Sequence, residues 1–368
     1  MSLLVEGLGT ALPGAPVPQT RFAAIAAPCC ATTRVQERLL PTLYRRTRVG
    51  TRHSVLETGD GNDPGEGLAA FYPRPADDDR VAGGPTLTER MRVYEKHAPL
   101  LAARAAAKAL ADAGRAPGEI DQLVTVSCTG FAAPGTDIAL IDALGLPPTV
   151  GRTSIGFMGC HGAMNGLRAA HGLARLGGTG SVLLVCVELC SLHFAYGWEP
   201  QRIVANALFG DGAAAVVGRL AADDQTSDAP RVVDHVTVLL PEGREHMTWY
   251  VRDHGFEMSL SPTVPDTIGR GLKAWMEPWL GGHGLSPAEV NGWAIHPGGP
   301  RVISATEEAL GLAPTAGDSA RAVLADVGNV SSGTVLFIVE RLRSANVPRP
   351  WVTLAFGPGL TVEAALIR

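Results

Sequence analysis

Six short apolar runs, nearly free of charge and each stopped by Gly, Pro or a polar residue, constrain this chain most: 123–128, 182–187, 213–217, 293–296, 351–356 and 360–367. A strand with one wet face alternates polar and apolar residues, whereas a strand covered on both faces reads as an unbroken apolar run. Between these runs, apolar residues recur at helical spacing over 98–113, 161–176, 265–280, 301–310 and 333–344. In 161–176 the stripe is Ala163, Leu167, Ala170 and Ala174, and Gly177-Gly178 is expected to end the helix. Buried strands alternating with such helices predict an α/β protein.

The pattern also echoes itself. Pro117-Gly118-Glu119-Ile120-Asp121 leads into 123–128, and Pro287-Ala288-Glu289-Val290-Asn291 leads into 293–296. Both follow a Gly-rich helix end, so a duplicated α/β architecture is expected, for which 368 residues give ample length. Residues 1–220 would form the first half and 232–368 the second, with the polar stretch 221–231 as their seam. Residues 57–86, rich in Gly, Pro and Asp, read as a surface loop or lid.

Several classes of function are disfavoured. A net charge of −5 argues against a nucleic-acid binder, which needs a basic face. No apolar stretch reaches the length of a membrane span, and the N-terminus has neither the basic start nor the apolar core of a signal peptide. A cytoplasmic location is therefore expected, with the six cysteines as reduced thiols. Cys29-Cys30 lacks the paired spacing of a zinc site, so no metal is expected.

Three distant segments carry chemistry: Gly159-Cys160-His161-Gly162, His296-Pro297-Gly298-Gly299 and Gly328-Asn329-Val330-Ser331-Ser332. Cys160 stands just before a helix, where unpaired N–H groups are expected to favour the thiolate. His296 ends a strand, the place where open α/β sheets carry their sites. Asn329 cannot titrate, so in a catalytic trio it can only orient or donate hydrogen bonds. Two neutral donors suit a thioester carbonyl as it becomes an enolate, and a cysteine suits an acyl group awaiting attack. That combination fits decarboxylative carbon–carbon bond formation.

These residues resemble the type III polyketide synthases, the chalcone- and stilbene-synthase-like family, from about residue 90 to the C-terminus and more loosely before. Besides the three segments, Leu208-Phe209-Gly210-Asp211-Gly212 and Phe356-Gly357-Pro358-Gly359-Leu360-Thr361-Val362-Glu363 match family motifs in order. The resemblance implies a thiolase-like layered αβαβα fold and a homodimer. It also implies an acyl-coenzyme A starter on Cys160, extended by malonyl-coenzyme A without carrier protein, cofactor or metal. His296 and Asn329 would stabilise the enolate, Ser331 would lie at the substrate, and Phe209 would guard the passage to the cavity.

Departures from the plant pattern bear on substrate. Met258 stands where a second gatekeeper phenylalanine is found, and a flexible thioether there would admit longer chains. Trp249 replaces a cavity glycine, Cys128 and Cys190 replace threonines, and Ala133 replaces the methionine that reaches into the partner's cavity. Arg45, Arg46, Arg48 and Arg52 are candidates for the coenzyme A phosphates, Arg46 foremost. An alkylpyrone or resorcinol-type product is preferred, with an all-malonyl product such as tetrahydroxynaphthalene as the alternative. The rivals are a ketoacyl-carrier-protein synthase III-like enzyme and, from another class, a cysteine protease with the same Cys-His-Asn order.

Overall fold

The apolar runs become six strands of one nine-stranded sheet in a computed structural model that describes residues 1–57, 67–75, 84–176, 180–222 and 227–368. In chain order the strands are β1 (Ser2–Ala11), β2 (Val17–Pro18), β3 (Thr51–Arg52), β4 (Gln122–Ser127), β5 (Gly151–Gly156), β6 (Ser181–Leu189) and β7 (Asp211–Ala221). They continue with β8 (Arg231–Leu239), β9 (Met247–Arg252), β10 (Gly255–Leu260), β11 (Gly292–Ile295), β12 (Trp351–Gly357) and β13 (Thr361–Ile367). The large sheet runs β11-β12-β13-β8-β1-β7-β6-β4-β5, while β9 pairs with β10 and β2 with β3.

The duplication is visible in this order. On one side β4 lies parallel to β6, β6 antiparallel to β7, and β7 antiparallel to β1. On the other, β11 lies parallel to β12, β12 antiparallel to β13, and β13 antiparallel to β8. The two sets meet where Leu3 pairs with Val232 and Leu4 with Arg231. Each copy of the five-residue echo forms a single 3-10 turn, Pro117–Glu119 before β4 and Pro287–Glu289 before β11.

Burial on both faces explains the apolar runs. Along β6, Leu183, Val185 and Val187 join the core beneath helix Leu87–Ala113, while Val182, Leu184 and Cys186 join the core around helices Gly162–Leu173 and Thr334–Ser344. Helix Leu87–Ala113 lies close on β1 because both surfaces are small: a Cβ at Gly9 would sit 2.4 Å from the Ala105 carbonyl oxygen. Gly162 brings the central helix equally near its neighbours, its missing Cβ 2.8 Å from Val126 Cγ1 and 3.2 Å from Ser332 Cβ.

Some expectations are corrected. The 98–113 helix starts at Leu87, where Thr86 and Glu89 form a capping box, and ends at Gly114 with φ 63°. The 265–280 helix is two, Val264–Gly271 and Lys273–Gly282, broken after Gly269 and Gly271, where glycine resists a bend least. Gly177-Gly178 lies outside the described residues, as do 58–66 and 76–83 of the 57–86 loop and 223–226 of the seam. Within that loop, Leu68–Phe71 makes one helical turn with Leu68 buried. Among the described residues no helix is long and apolar enough to cross a membrane.

Candidate active site

Two equivalent helix starts, one in each half, face each other. Cys160 occupies the 3-10 turn Gly159–His161 that opens helix Gly162–Leu173, and Asn329 and Ser331 precede helix Thr334–Ser344. The turn at Gly159 has φ 69°, and a Cβ there would lie 2.3 Å from Pro358 Cδ. A Cβ at Gly357 would lie 2.1 Å from His161 Cδ2. The Phe356–Leu360 stretch is thus the floor on which the cysteine turn rests, and glycine is required on both sides of the contact.

His296 directly follows β11, its N–H donating to the Leu354 carbonyl at 2.7 Å. Asn329 is oriented by its own oxygen: Oδ1 accepts from the Ser331 N–H at 2.8 Å and the Thr334 hydroxyl at 3.2 Å. That fixes Nδ2 toward His296 Nε2, 3.3 Å away, and the Pro297 carbonyl at 3.4 Å. Burial, aided by the nearby His161, pushes His296 down to about 3, so its imidazole is neutral. His296 Nδ1 has no partner among the described residues. Two nitrogens at this spacing can both donate to one oxygen placed between them, the geometry of an oxyanion hole.

Cys160 Sγ lies 3.8 Å from Ser331 Oγ, and the residue is only 4% exposed. The expectation of a thiolate favoured by the helix start is corrected here: desolvation pushes the thiol up to about 12, against hydrogen bonds from Ser331 and Asn329 that pull the other way. Near neutral pH the buried sulfur is therefore held as the thiol.

Cys160 opens onto a chamber of about 870 Å³ of empty space, mouth included, whose walls carry Cys128, Cys190, Trp249, Met258, Phe209 and Ser331. A smaller space of about 340 Å³ contains His296 and Asn329 and shares Cys160, Phe209, Met247 and Met258 with the chamber. Phe209 and Met258 therefore stand on the common wall. Trp249 and Met258 are cross-strand partners on the β9–β10 hairpin, and the Trp249 indole donates to the Cys128 carbonyl at 2.8 Å. The Gly159 N–H donates to Cys128 Sγ at 3.0 Å. Ala133 lies apart, exposed beside Phe131.

The arginine cluster divides. Arg45, Arg46 and Arg48 are exposed, whereas Arg52 is buried and points inward, which removes it from the phosphate candidates. Its guanidinium donates to Gln19 Oε1 at 3.0 Å and to the carbonyls of Asn206 and Phe209, and it stacks 3.7 Å over the Phe22 ring. A sequence run of arginines cannot separate these roles. The one signal was strand β3, where Thr51 is half-buried and Arg52 takes the inward position.

Glu188 went unnoticed in the sequence. Fully buried in β6, it accepts both contacts from the Cys128 N–H, at 3.1 and 3.0 Å, the Thr129 hydroxyl at 2.7 Å and the Ser332 hydroxyl. Burial pushes it up to about 7 despite these donors. It ties the backbone beside Cys128 to the start of the second central helix. A single carboxylate inside an apolar run is the signal that marks it. His193 is a structural histidine: Phe256 N–H donates to Nδ1 at 3.0 Å, and Nε2 sits 2.6 Å from the Thr129 carbonyl. Among the described residues no group of three or more His, Cys, Asp or Glu could hold a metal.

The chain is similar to known proteins along nearly its whole length. Residues 3–221 match the model of the chalcone and stilbene synthase N-terminal domain, and residues 231–368 that of the C-terminal domain. The chain is 32% identical over 369 residues to the alpha-pyrone synthesis polyketide synthase-like Pks18 of Mycobacterium tuberculosis, covering 99% of this chain and 90% of that protein. It is 34% identical over 368 residues to the 1,3,6,8-tetrahydroxynaphthalene synthase of Streptomyces peucetius, covering 99% and 92%. The crystal structure of PKS-I from the brown alga Ectocarpus siliculosus superposes with a TM-score of 0.91 at 29% identity, covering 100% of this chain and 98% of that one. The chain belongs to the chalcone and stilbene synthase family and is a type III polyketide synthase, an enzyme of the acyltransferase class.

Proposed function

We propose that Cys160 is the acyl carrier and that His296 and Asn329 hold the enolate of an extender. The reading is carried by one observation: Cys160 lines both spaces, while His296 and Asn329, their side-chain nitrogens 3.3 Å apart, line the smaller one, whose wall shares Phe209 and Met258 with the chamber. The Cys160 proton passes to His296 as an acyl-coenzyme A enters, since an ion pair costs less in a water-poor chamber than either charge alone. The thiolate attacks the thioester carbonyl and coenzyme A leaves as a thiolate that takes its proton from solvent, so the proton from Cys160 stays on His296 Nε2. Malonyl-coenzyme A then loses carbon dioxide, and its enolate oxygen is held by Asn329 Nδ2–H and His296 Nε2–H. The enolate carbon attacks the acyl carbonyl, the Cys160 sulfur leaves, and the lengthened chain is returned to it for the next round.

Phe209 presents an apolar face that discourages a bare carboxylate and favours neutral carbon dioxide. Met258, Trp249, Cys128, Cys190 and Ser331 would shape the growing chain, and exposed Arg46 would meet coenzyme A phosphate. Carbanion formation by decarboxylation needs no metal, cofactor or carrier protein. The exposed aromatic surface at Phe131, 58% accessible, fits a homodimer contact, and we place the enzyme in the cytoplasm.

The starter is an acyl-coenzyme A and the product an alkylpyrone or resorcinol, because the chamber wall is largely apolar. An all-malonyl tetrahydroxynaphthalene is the alternative, favoured by the bulk of Trp249 in the chamber. Incubating the enzyme with malonyl-coenzyme A alone and then with acyl-coenzyme A starters of rising length tests both. Pyrones formed only with a starter support the first, and full turnover on malonyl-coenzyme A alone overturns it. Turnover restricted to malonyl-carrier protein overturns the family-level chemistry.

A further inference from the structure

Beyond the catalytic trio, a residue on the chamber wall carries a buried polar atom that the described residues leave unsatisfied. Arg52 is 2% exposed and lines the chamber with Cys160, yet its buried Nη2 has no hydrogen-bond partner among the described residues. Its Nε is held by Gln19, and Nη1 by the carbonyls of Asn206 and Phe209. Other polar side chains on the wall are already engaged: Ser191 with Ser54 and Asp211, Asn206 with Ala195, and Thr129 with Glu188. A buried guanidinium N–H without an acceptor is costly unless a ligand supplies one.

The kind of acceptor follows from charge. Buried Asp211 lies close enough for its carboxylate and the Arg52 cation to influence each other, although they form no direct ion pair among the described contacts. The Asp211 carboxylate is held instead by Ser191 and the Val55 N–H. A second carboxylate from a ligand would face repulsion from Asp211, whereas a neutral carbonyl oxygen would not. A polyketide produces one such oxygen in every round.

We propose that Arg52 Nη2 donates to a keto oxygen of the chain growing on Cys160 and so helps set how many extensions precede release. This rests on the polyketide reading above. The stem of Arg52 also braces the site, since a Cβ at Gly328 would lie 2.8 Å from Arg52 Cγ, next to Asn329. The test must therefore separate bracing from ligand contact.

The assay uses hexanoyl-coenzyme A, which brings no distal oxygen, with labelled malonyl-coenzyme A, and counts malonyl units per product. Arg52→Met should lower the ratio of longer products to the triketide at least tenfold, and Arg52→Lys should recover a third or more of it. Gln19→Leu, which loosens the brace and keeps the guanidinium, should lower total turnover without moving the ratio. Proportional loss of all products in Arg52→Met overturns the proposal. If that variant does not fold, the wild-type enzyme bound to a non-hydrolysable 3-oxoacyl amide of coenzyme A decides. A ligand oxygen within hydrogen-bond distance of Nη2 supports it, and a water or protein oxygen there in its place overturns it. Absence of any carbon dioxide release from malonyl-coenzyme A by the wild type would instead sink the polyketide reading.

Discussion

Replacing Glu188 by Gln should remove a pH dependence of stability that the wild type carries. Burial raises this carboxyl from its ordinary 4.5 to about 7 in the folded chain. The folded state thus prefers the protonated acid. Its contribution is fully present below about pH 4.5 and is lost as pH rises through 7. At about 1.4 kcal/mol per unit, the loss between pH 5 and pH 7.5 comes to roughly 2.4 kcal/mol. Gln keeps the size and most of the bonds. Its oxygen can accept from the Cys128 N–H and the Ser332 hydroxyl, and its NH2 can donate to the Thr129 hydroxyl after that group rotates. Urea unfolding of both proteins at pH 5, 6, 7 and 8 gives the difference in stability at each pH, in which all other titrations cancel. The difference should move by roughly 2.5 kcal/mol in favour of Glu188→Gln as pH rises. A difference constant to within about 1 kcal/mol would show that the carboxylate titrates normally and that the burial argument fails.

Other outcomes follow from the site. Alkylation of Cys160 by iodoacetamide should speed up about tenfold per pH unit from 7 to 10, since the thiol is pushed up to about 12; a plateau below pH 8 would contradict this. Asn329→Ala should slow decarboxylation of malonyl-coenzyme A by about 10²- to 10³-fold, the usual loss for one oxyanion donor, and by much more than it slows acyl loading. Equal losses in the two steps would place the carboxamide elsewhere in the mechanism. Met258→Phe should narrow the wall shared by the two spaces, lowering kcat/KM for decanoyl- relative to butyryl-coenzyme A by about tenfold or more. An unchanged ratio would show that the chain passes by another route.

What the sequence revealed depended on uniformity of environment. Strands β6, β12 and most of β7 are buried on both faces, so they read as plain apolar runs. Strand β5, Gly-Arg-Thr-Ser-Ile-Gly, alternates half-buried and exposed residues at the edge of the sheet and carries no such signal. Strand β8 is mostly half-buried and was missed for the same reason. The first turns of helix Leu87–Ala113 are so charged that their stripe is hidden. The trio stood out because Cys160, His296 and Asn329 each sit among glycines or other small residues, a pattern that follows from the close approaches at Gly159 and Gly328. Glu188 and Arg52 stayed hidden because their meaning lies in partners far away in the chain. No local pattern distinguishes a buried arginine from three exposed ones nearby.

The bridge between Phe209 and Asn329 has a mechanical consequence. Asn329 donates its backbone N–H to Leu208 and accepts the Gly210 N–H, each at 2.9 Å, so Phe209, the proposed doorkeeper, and the carboxamide proposed to hold the enolate share one short stretch of hydrogen-bonded backbone. An incoming thioester that shoulders the ring aside at the level of the main chain must also tug the amide. Only a ring that swings about its own side-chain bonds leaves the amide at rest. In the proposed mechanism, entry of the extender and readiness for carbon dioxide loss are thereby geared together.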